Sequence, residues 1–493
     1  MTKIAAVIAA SDMRSAERDA KQALSQGADL VELRLDSVRD VSPGGLRALA
    51  SSVGRHAIAT VRSKAEGGAG AVPDERRTAI LADLAKLPFA YLDLERRADG
   101  ARAGGIRGKE GRGPVRIVSE HFSASADLAK VEDALEACGA LGEVAKVAVP
   151  VDDIEEAIAL VDLARSHRKG PRRAVVIGMG LAGMLTRVLA EDTGQEIQYA
   201  AFGPPSVPGQ LPLPAAVRLK GRHPIVLGLV GHPLGHSISP QIHEAALASA
   251  NIPGVYLLFD VGADTLRRMV DEPDRIRLRG FNVTIPYKEA VADLVDDVDG
   301  DAEALGAVNT VVVADGWTKG HNTDVHGFRI ALRSLGIRLG QRKALVVGAG
   351  GAAKAVVHVL LREGAAVTVA NRTPSRAEAL ARGFDESVEV ADPDELESRG
   401  PWDLLVNATP VGTKGLAPGV PVPDATIRRS KFVFDLVYNP PETPLLASAR
   451  RAGVPAASGL TMLVHQAAKA YELWIGLSPD MKAMETAARE ALR

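Results

Sequence analysis

Seven short apolar runs recur through the first 220 residues, each separated from the next by a helical stretch. They are Ala5 to Ala9, Leu30 to Leu35, Ala57 to Val61, Tyr91 to Leu94, Val115 to Val118, Val144 to Val149 and Ala174 to Ile177. Strands that alternate with helices bury their apolar faces as a parallel sheet with helical crossovers, open or closed on itself. The segment Gly203-Pro-Pro-Ser-Val-Pro-Gly-Gln-Leu-Pro-Leu-Pro214 is too rich in proline to continue that order, and Lys220-Gly-Arg-His-Pro224 follows it, so a domain boundary is expected near residue 220. Beyond it a new α/β set begins at Leu227 to Val230 and runs through Gly254 to Phe259, Gly280 to Thr284 and Val308 to Val313; Ala344 to Val347 opens another.

A chain of 493 residues is too long for one compact core and fits two to four domains. Its 59 basic and 61 acidic side chains nearly cancel, so no net field recruits nucleic acid or an anionic membrane, and small-molecule partners are expected. A single cysteine, Cys138, excludes an intramolecular disulfide and fits a reducing cytoplasm. Ile4 to Ala10 has only Lys3 as a basic flank and leads into Asp12, so it reads as a first strand and not as a signal core. No apolar stretch reaches the roughly 20 residues that span a bilayer.

Two lysines stand at the ends of strand-like runs: Lys146 in Val144-Ala-Lys-Val-Ala-Val149, and Lys288 in Asn282-Val-Thr-Ile-Pro-Tyr-Lys288. An isolated lysine there snorkels to water, whereas a buried one needs a partner and becomes reactive, so the neighbours decide. In Glu32-Leu-Arg34-Leu-Asp36 a period of two puts the three charges on one face and the leucines on the other. Thr60-Val-Arg62-Ser-Lys-Ala-Glu66-Gly-Gly and Ile117-Val-Ser-Glu-His121 likewise end strands in titratable groups. The carboxyl ends of the strands are where a β/α barrel builds its active site.

These residues, with Lys146-Val-Ala-Val-Pro150, Gly178-Met-Gly and Arg187, and Ser206-Val-Pro-Gly-Gln210, resemble type I 3-dehydroquinate dehydratase over about residues 1 to 219. The resemblance implies a (β/α)8 barrel in which Lys146 forms a Schiff base with the substrate ketone, a better electron sink than the carbonyl itself. It implies His121 as the group that removes and returns protons and Glu66 as its orienting partner. Arg34, Arg62 and Arg187 would bind the substrate carboxylate and favour a neutral amine at Lys146; Glu32 would meet ring hydroxyls, and Ser206 and Gln210 would belong to a closing loop. No metal is implied. One departure stands out: Gly100 to Gly113, where a crossover helix belongs, is so rich in glycine that a missing helix is expected.

In the second half, Ala344-Leu-Val-Val-Gly348-Ala349-Gly350-Gly351-Ala352 is a strand turning into a helix through glycines, which lets a pyrophosphate approach backbone amides. The next strand, Ala366 to Ala370, ends at Asn371-Arg372-Thr373, with Arg376 close behind, where an NAD enzyme places an acidic residue; the arginines suit the 2′-phosphate of NADP. Gly231-His-Pro-Leu-Gly-His-Ser237-Ile-Ser239, Asn282-Val-Thr284-Ile-Pro-Tyr-Lys288, Gly306-Ala-Val-Asn309, Asn322-Thr323-Asp324, Asn407-Ala-Thr409-Pro-Val-Gly412, Asp435-Leu-Val-Tyr438 and Gly459 to Gln466 resemble shikimate dehydrogenase over about residues 222 to 493. That resemblance implies a substrate lobe at 222–328 completed by 460–493, and a Rossmann-type NADP lobe at 329–459. It makes Lys288 and Asp324 a catalytic pair. Ser237 and Ser239 would hold the substrate carboxylate, with Thr284, Asn309, Thr323, Tyr438 and Gln466 near the ring. Thr409 and Gly459 would flank the cofactor. His232, His236 and His243 have no acidic or cysteine partner at ligand spacing, so no metal is expected.

The expected whole is a bifunctional enzyme that dehydrates 3-dehydroquinate to 3-dehydroshikimate and reduces that product with NADPH to shikimate. Two alternatives stand beside it. A metabolite-sensing regulator of the same folds would have lost its reactive residues, yet Lys146, His121, Lys288 and Asp324 are present. An NAD-dependent quinate/shikimate dehydrogenase would not place Arg372 after the second nucleotide-lobe strand. The oligomeric state stays open.

Overall fold

The computed structural model describes residues 1–103, 113–168, 170, 173–204, 209–234, 237–384 and 387–493. The chain divides into two compact units, one of residues 1–225 with 251–261 and 275–277, the other of the remainder.

In the first unit a nine-stranded parallel sheet holds eight strands that curl in chain order, β1 (Lys3–Ile8), β2 (Leu30–Arg34), β3 (Ala57–Thr60), β4 (Tyr91–Glu95), β5 (Val115–His121), β6 (Val144–Pro150), β7 (Arg173–Met179) and β8 (Ile197–Ala201), with a short ninth, Leu211–Pro212, paired to β8. β8 returns to pair with β1, Ala5 lying opposite Tyr199. One residue or more from each of the eight strands, from Ala5 and Leu30 round to Ile197 and Tyr199, meets in a single interior cluster, as the inward positions of a closed barrel must. Between β7 and β8 the ladder is replaced by two hydrogen bonds: Glu196 N donates to Ala174 O at 3.1 Å, and Val176 N donates to the Gln195 amide oxygen at 2.8 Å. β8 is the strand that the apolar pattern does not reveal, because Ile197-Gln-Tyr-Ala-Ala carries only one aliphatic residue larger than alanine.

The helix expected to be missing after β4 is present as Arg96–Ala103, Gly100 included; residues 104–112 lie outside the described set. Tertiary anchors override glycine's poor propensity there. Asp99 accepts from Glu95 N at 2.8 Å and from both terminal nitrogens of buried Arg77 at 2.7 and 2.6 Å, while Arg96 and Arg97 both bind Glu120.

The second unit holds two sheets. In the mixed sheet, strand Ile225–Gly231 runs parallel to Leu278–Val283, which pairs antiparallel with Thr310–Ala314 and so with Trp317–His321. The other sheet is wholly parallel, in the order Val388–Ala391, Ala366–Ala370, Lys343–Val347, Leu404–Asn407, Val433–Asp435, Ala456–Ser458. This is the doubly wound 3-2-1-4-5-6 order, whose ligand crevice lies at the carboxyl ends of the two central strands. Its faces bury separate cores, one around Val346, Val357 and Phe434, the other around Leu345, Leu405 and Leu445. Helices Leu460–Ile475 and Met481–Ala491 pack back on helix Ser239–Ser249, and the first also on Thr323–Ser334. Among the described residues no helix is long and apolar enough to cross a membrane.

Candidate active sites

Inside the barrel the alternation of inward residues produces layers. The floor is apolar: Leu30, Ile58, Ile117, Val144, Val175 and Ile197. Two residues further along the strands come Glu32, Thr60, Asp93, Ser119, Lys146 and Tyr199, and two further still Arg34, Arg62, Glu95 and His121. The polar layers therefore stand on a dry base, where unpaired charge is costly and pairing is dense.

Lys146 is 2% exposed. Its Nζ lies 3.1 Å from Asp93 Oδ2 and 3.6 Å from Glu32 Oε1, and 4.0 Å above the centroid of the Tyr199 ring. The groups that pair with the amine are thus carboxylates, and Arg62, expected to act on Lys146 through its charge, binds the same Asp93 oxygen at 3.0 Å. Burial alone would raise the Asp93 carboxyl, but the Arg62 and Lys146 charges outweigh it and hold it well below the usual range. Ser119 Oγ donates to Asp93 at 2.6 Å and accepts from Arg62 at 2.9 Å.

Arg34 is held by a bidentate bond to Asp36, at 2.9 and 2.8 Å. Asp36 is not on the strand but in the 3₁₀ turn Leu35–Ser37, from where it also accepts from Arg62 N and Ala69 N and so fixes the loop that carries Glu66. Gly68 closes that loop with its N–H on Ser63 O; a Cβ there would lie 2.1 Å from Arg62 O. Glu66 Oε2 meets both His121 N and His121 Nδ1 at 3.1 Å. Burial, reinforced by Glu95, pushes the Glu66 carboxyl up to about 7. Burial together with the Arg62 and Lys146 charges holds His121 well below its ordinary value, so its imidazole is neutral and able to accept a proton. Arg187 is buried, which lowers it to about 10; one Nη donates to Gly178 O at 2.6 Å, and Nε has no partner among the described residues. That free donor suits an incoming carboxylate. Ser206 lies outside the described residues. Gln210 follows Gly209, whose Cβ would lie 1.8 Å from Gly180 O, so the backbone of this loop rests on the end of β7.

Asp93, Glu95, Ser119 and Tyr199 are part of the site and were not among the expected residues. Tyr91-Leu-Asp93-Leu-Glu95 repeats the alternation of Glu32-Leu-Arg34-Leu, and that signal could have found the first two.

In the second unit Lys288 lies five residues beyond its strand, in a turn held by Val308 N on Lys288 O at 2.7 Å. Its Nζ binds Asp324 Oδ2 at 2.5 Å, and Asn309 Nδ2 binds the other oxygen at 2.9 Å. Asn309 Oδ1 accepts from Thr323 N at 2.7 Å, and Thr323 Oγ1 donates to Gln466 Oε1 at 3.3 Å. Helix Leu460–Ile475 reaches this cluster because Gly327 has no side chain: a Cβ would lie 2.6 Å from Met462 O. Ser237 Oγ donates to Ser239 Oγ at 3.1 Å at the start of helix Ser239–Ser249. Thr284 N binds Val230 O at 2.9 Å, and burial raises the Tyr438 phenol. Five of the expected residues, Lys288, Asn309, Thr323, Asp324 and Gln466, thus form one hydrogen-bonded chain. His236 lies outside the described residues, and the buried His243 ring packs at a tilt against Trp474, with ring centroids 5.3 Å apart.

The glycine turn lies at the switch point of the parallel sheet. Gly348 has φ +121°, and a Cβ on it would meet Ala408 O at 2.8 Å. Gly350 caps helix Gly351–Arg362 without a side chain, leaving the first-turn amides to a ligand. Ala349 and Ala352 keep the turn small, and a Cβ on Gly351 would lie 3.2 Å from Lys288 Cδ, so the turn abuts the lysine directly. Thr409 Oγ1 bonds Asn407 Oδ1 at 2.7 Å, and Gly459 packs on Leu436 O. Asn371 Nδ2 donates to Thr373 O at 2.9 Å. Arg372 and Arg376 are exposed, and neither has a carboxylate within ion-pair distance among the described residues. Two guanidiniums without an anion beside a free helix N-terminus fit a 2′-phosphorylated dinucleotide.

Comparison with known proteins agrees with this geometry. The type I 3-dehydroquinase family model matches residues 4–219. The shikimate dehydrogenase substrate-binding domain matches 229–311, shikimate/quinate 5-dehydrogenase 329–417, and the shikimate 5′-dehydrogenase C-terminal domain 459–489. An NADP(+) shikimate dehydrogenase of Archaeoglobus fulgidus is 43% identical over 272 residues, 55% of this chain and 99% of that one. A crystal structure of shikimate dehydrogenase in complex with NADP+ matches with TM-score 0.52 and 36% identity, over 55% of this chain and 96% of the other. A quinate dehydrogenase from Corynebacterium glutamicum in complex with NAD matches with TM-score 0.51 and 35% identity, over 54% and 100%. The chain belongs to the shikimate dehydrogenase family through its second half and carries a type I 3-dehydroquinase domain in its first.

Proposed function

We propose that the two sites catalyse consecutive steps, dehydration of 3-dehydroquinate in the barrel and NADPH-dependent reduction of the resulting 3-dehydroshikimate to shikimate in the second unit. The chain is a lyase and an NADP-dependent oxidoreductase of the shikimate pathway. The carrying observation is a buried lysine at the centre of the barrel with a neutral histidine, held by Glu66, at its mouth. Lys146 Nζ attacks the ketone carbon, and loss of water from the carbinolamine gives an imine. His121 takes the proton on the neighbouring carbon, the electrons run into the imine, and the β-hydroxyl leaves with a proton returned by His121. Hydrolysis of the imine then frees the enone and the lysine. Arg187 and Arg34 bind the substrate carboxylate, Arg62 holds Asp93 and Glu66 in place, and Glu32 faces the ring hydroxyls.

In the second unit NADPH supplies the hydride. Lys288 gives the carbonyl oxygen its proton, and Asp324, fixed by Asn309, holds the ammonium in place. Ser237 and Ser239 bind the substrate carboxylate, and Thr284, Thr323, Tyr438 and Gln466 contact the ring. The arginines after the second strand favour NADPH over NADH. The compartment is the cytoplasm, consistent with one buried thiol and no disulfide.

The test supplies 3-dehydroquinate and NADPH and follows cofactor absorbance. Lys146→Ala should stop oxidation from 3-dehydroquinate but not from 3-dehydroshikimate, and Lys288→Ala should stop both. A Lys146→Ala variant that still consumes NADPH from 3-dehydroquinate, or wild type without a borohydride-trapped adduct on Lys146, refutes the reading.

A further inference from the structure

The conversion of Lys146 to an imine changes what its nitrogen can bind. An ammonium has three N–H donors and can serve Asp93 and Glu32 together, whereas a protonated imine has one. The carboxylates do not depend on those lost bonds. Asp93 keeps Arg62 at 3.0 Å and Ser119 at 2.6 Å, and Glu32 keeps Thr60 Oγ1 at 3.1 Å. A further neighbour of the nitrogen is the Tyr199 ring, 4.0 Å from Nζ to centroid. Attraction between a cation and a ring face needs no N–H, so it stays available to a protonated imine after two of the ammonium's donors are gone. Burial, then Glu32 and Asp93, push the phenol well above its ordinary value, so Tyr199 stays neutral; its hydroxyl has no hydrogen-bond partner among the described residues. The part of Tyr199 that meets the lysine nitrogen is thus its ring face, and the site around it is buried.

We propose that the π-face of Tyr199 stabilises the positive charge on the Lys146 nitrogen through the imine stage of the dehydration. This rests on the Schiff-base reading. The experiment places phenylalanine and then 4-fluoro-, 3,5-difluoro- and pentafluorophenylalanine at position 199 of the full chain, with Tyr199→Leu to remove the ring. It measures dehydration kcat, KM and the amount of borohydride-trapped adduct, and uses the dehydrogenase rate of the same molecules as the folding control. With Tyr199→Phe as reference, log kcat and trapped adduct should fall in step with each fluorine, reaching about ten- to thirty-fold in kcat for the pentafluoro ring, while KM changes little. Tyr199→Leu should fall at least as far. A flat fluorine series, or Tyr199→Leu equal to Tyr199→Phe, overturns the proposal. The two failures are distinguishable: wild type without an adduct refutes the Schiff base itself, whereas a trapped adduct with a flat series refutes only the role of Tyr199.

Discussion

Replacing Glu66 by glutamine should make the barrel more stable at alkaline pH. Burial and Glu95 raise the Glu66 carboxyl from 4.5 to about 7 in the folded chain. That difference of 2.5 (7 − 4.5) corresponds to about 3–4 kcal/mol at about 1.4 kcal/mol per pKa unit. Water at the mouth of the barrel screens part of it, leaving about 2 kcal/mol. The sign follows from the raised value. The folded state holds this proton more tightly than the unfolded chain, so the stability it brings is complete below pH 4.5 and is lost as pH rises through about 7. At pH 8 the native carboxylate is ionised against its surroundings. Glutamine removes that charge but keeps an oxygen to accept from His121 N and Nδ1. The barrel transition should therefore rise by roughly 4–8 °C at pH 8 and by almost nothing at pH 4.5. Calorimetry is the suitable assay because Trp317, Trp402 and Trp474 all lie in the second unit, so tryptophan emission follows that unit and should not move. No gain at pH 8 would refute the reasoning. An equal gain at both pH values would do so as well, since it would point to packing and not ionisation.

Asp93→Asn should destabilise the barrel by about 3–5 kcal/mol at pH 7, because it strips one partner from a buried pair with Arg62 and Lys146. The Asp93 carboxyl is depressed, so that loss should fade in acid as pH falls through the native value; a penalty in urea unfolding that does not depend on pH would contradict it. Arg372→Ala should raise the KM for NADPH at least about ten-fold and leave NADH nearly unaffected, since it removes a charged bond of about 1.5–3 kcal/mol to the 2′-phosphate; equal losses in steady-state kinetics would refute the assignment. Gly348→Ala should abolish NADPH binding, read by quenching of protein fluorescence, because the turn has φ +121° and Ala408 O lies 2.8 Å from the new Cβ. Dehydration by the same variant should persist.

What was legible in the sequence was whatever repeats locally. Alternation placed Glu32 and Arg34 together on one face, and the glycines with the following Asn371-Arg372 marked the nucleotide turn. Asp36 was legible as a charge but not as a loop anchor, since a period of two cannot show that the strand ends at Arg34 and gives way to a 3₁₀ turn. Helix Arg96–Ala103 was misjudged because its support comes from Arg77 and Glu120, remote in the chain, and propensity counts only the residues within the segment. Tyr199 was hidden twice, on a strand with too little apolar signal and in a contact with Lys146 that spans 53 residues (199 − 146). Gly327 gives no motif at all, and its importance appears only where Met462 O and Gln466 of a distant helix close on it.

The two lysines show why residue type and strand position alone do not assign a role. Both pair with an aspartate, Lys146 with Asp93 at 3.1 Å and Lys288 with Asp324 at 2.5 Å, so the carboxylate does not distinguish them. The surroundings of the pair do. Among the described residues Asp324 takes its ion pair from Lys288 alone and its other oxygen accepts from the neutral Asn309 amide. Asp93 is divided among Arg62, Ser119 and Lys146, so the amine can withdraw without leaving a buried carboxylate unpaired. A lysine that must bond to carbon needs a counterion that can do without it. One that only moves a proton needs a counterion of its own, and the two pairs differ in that respect more than in distance.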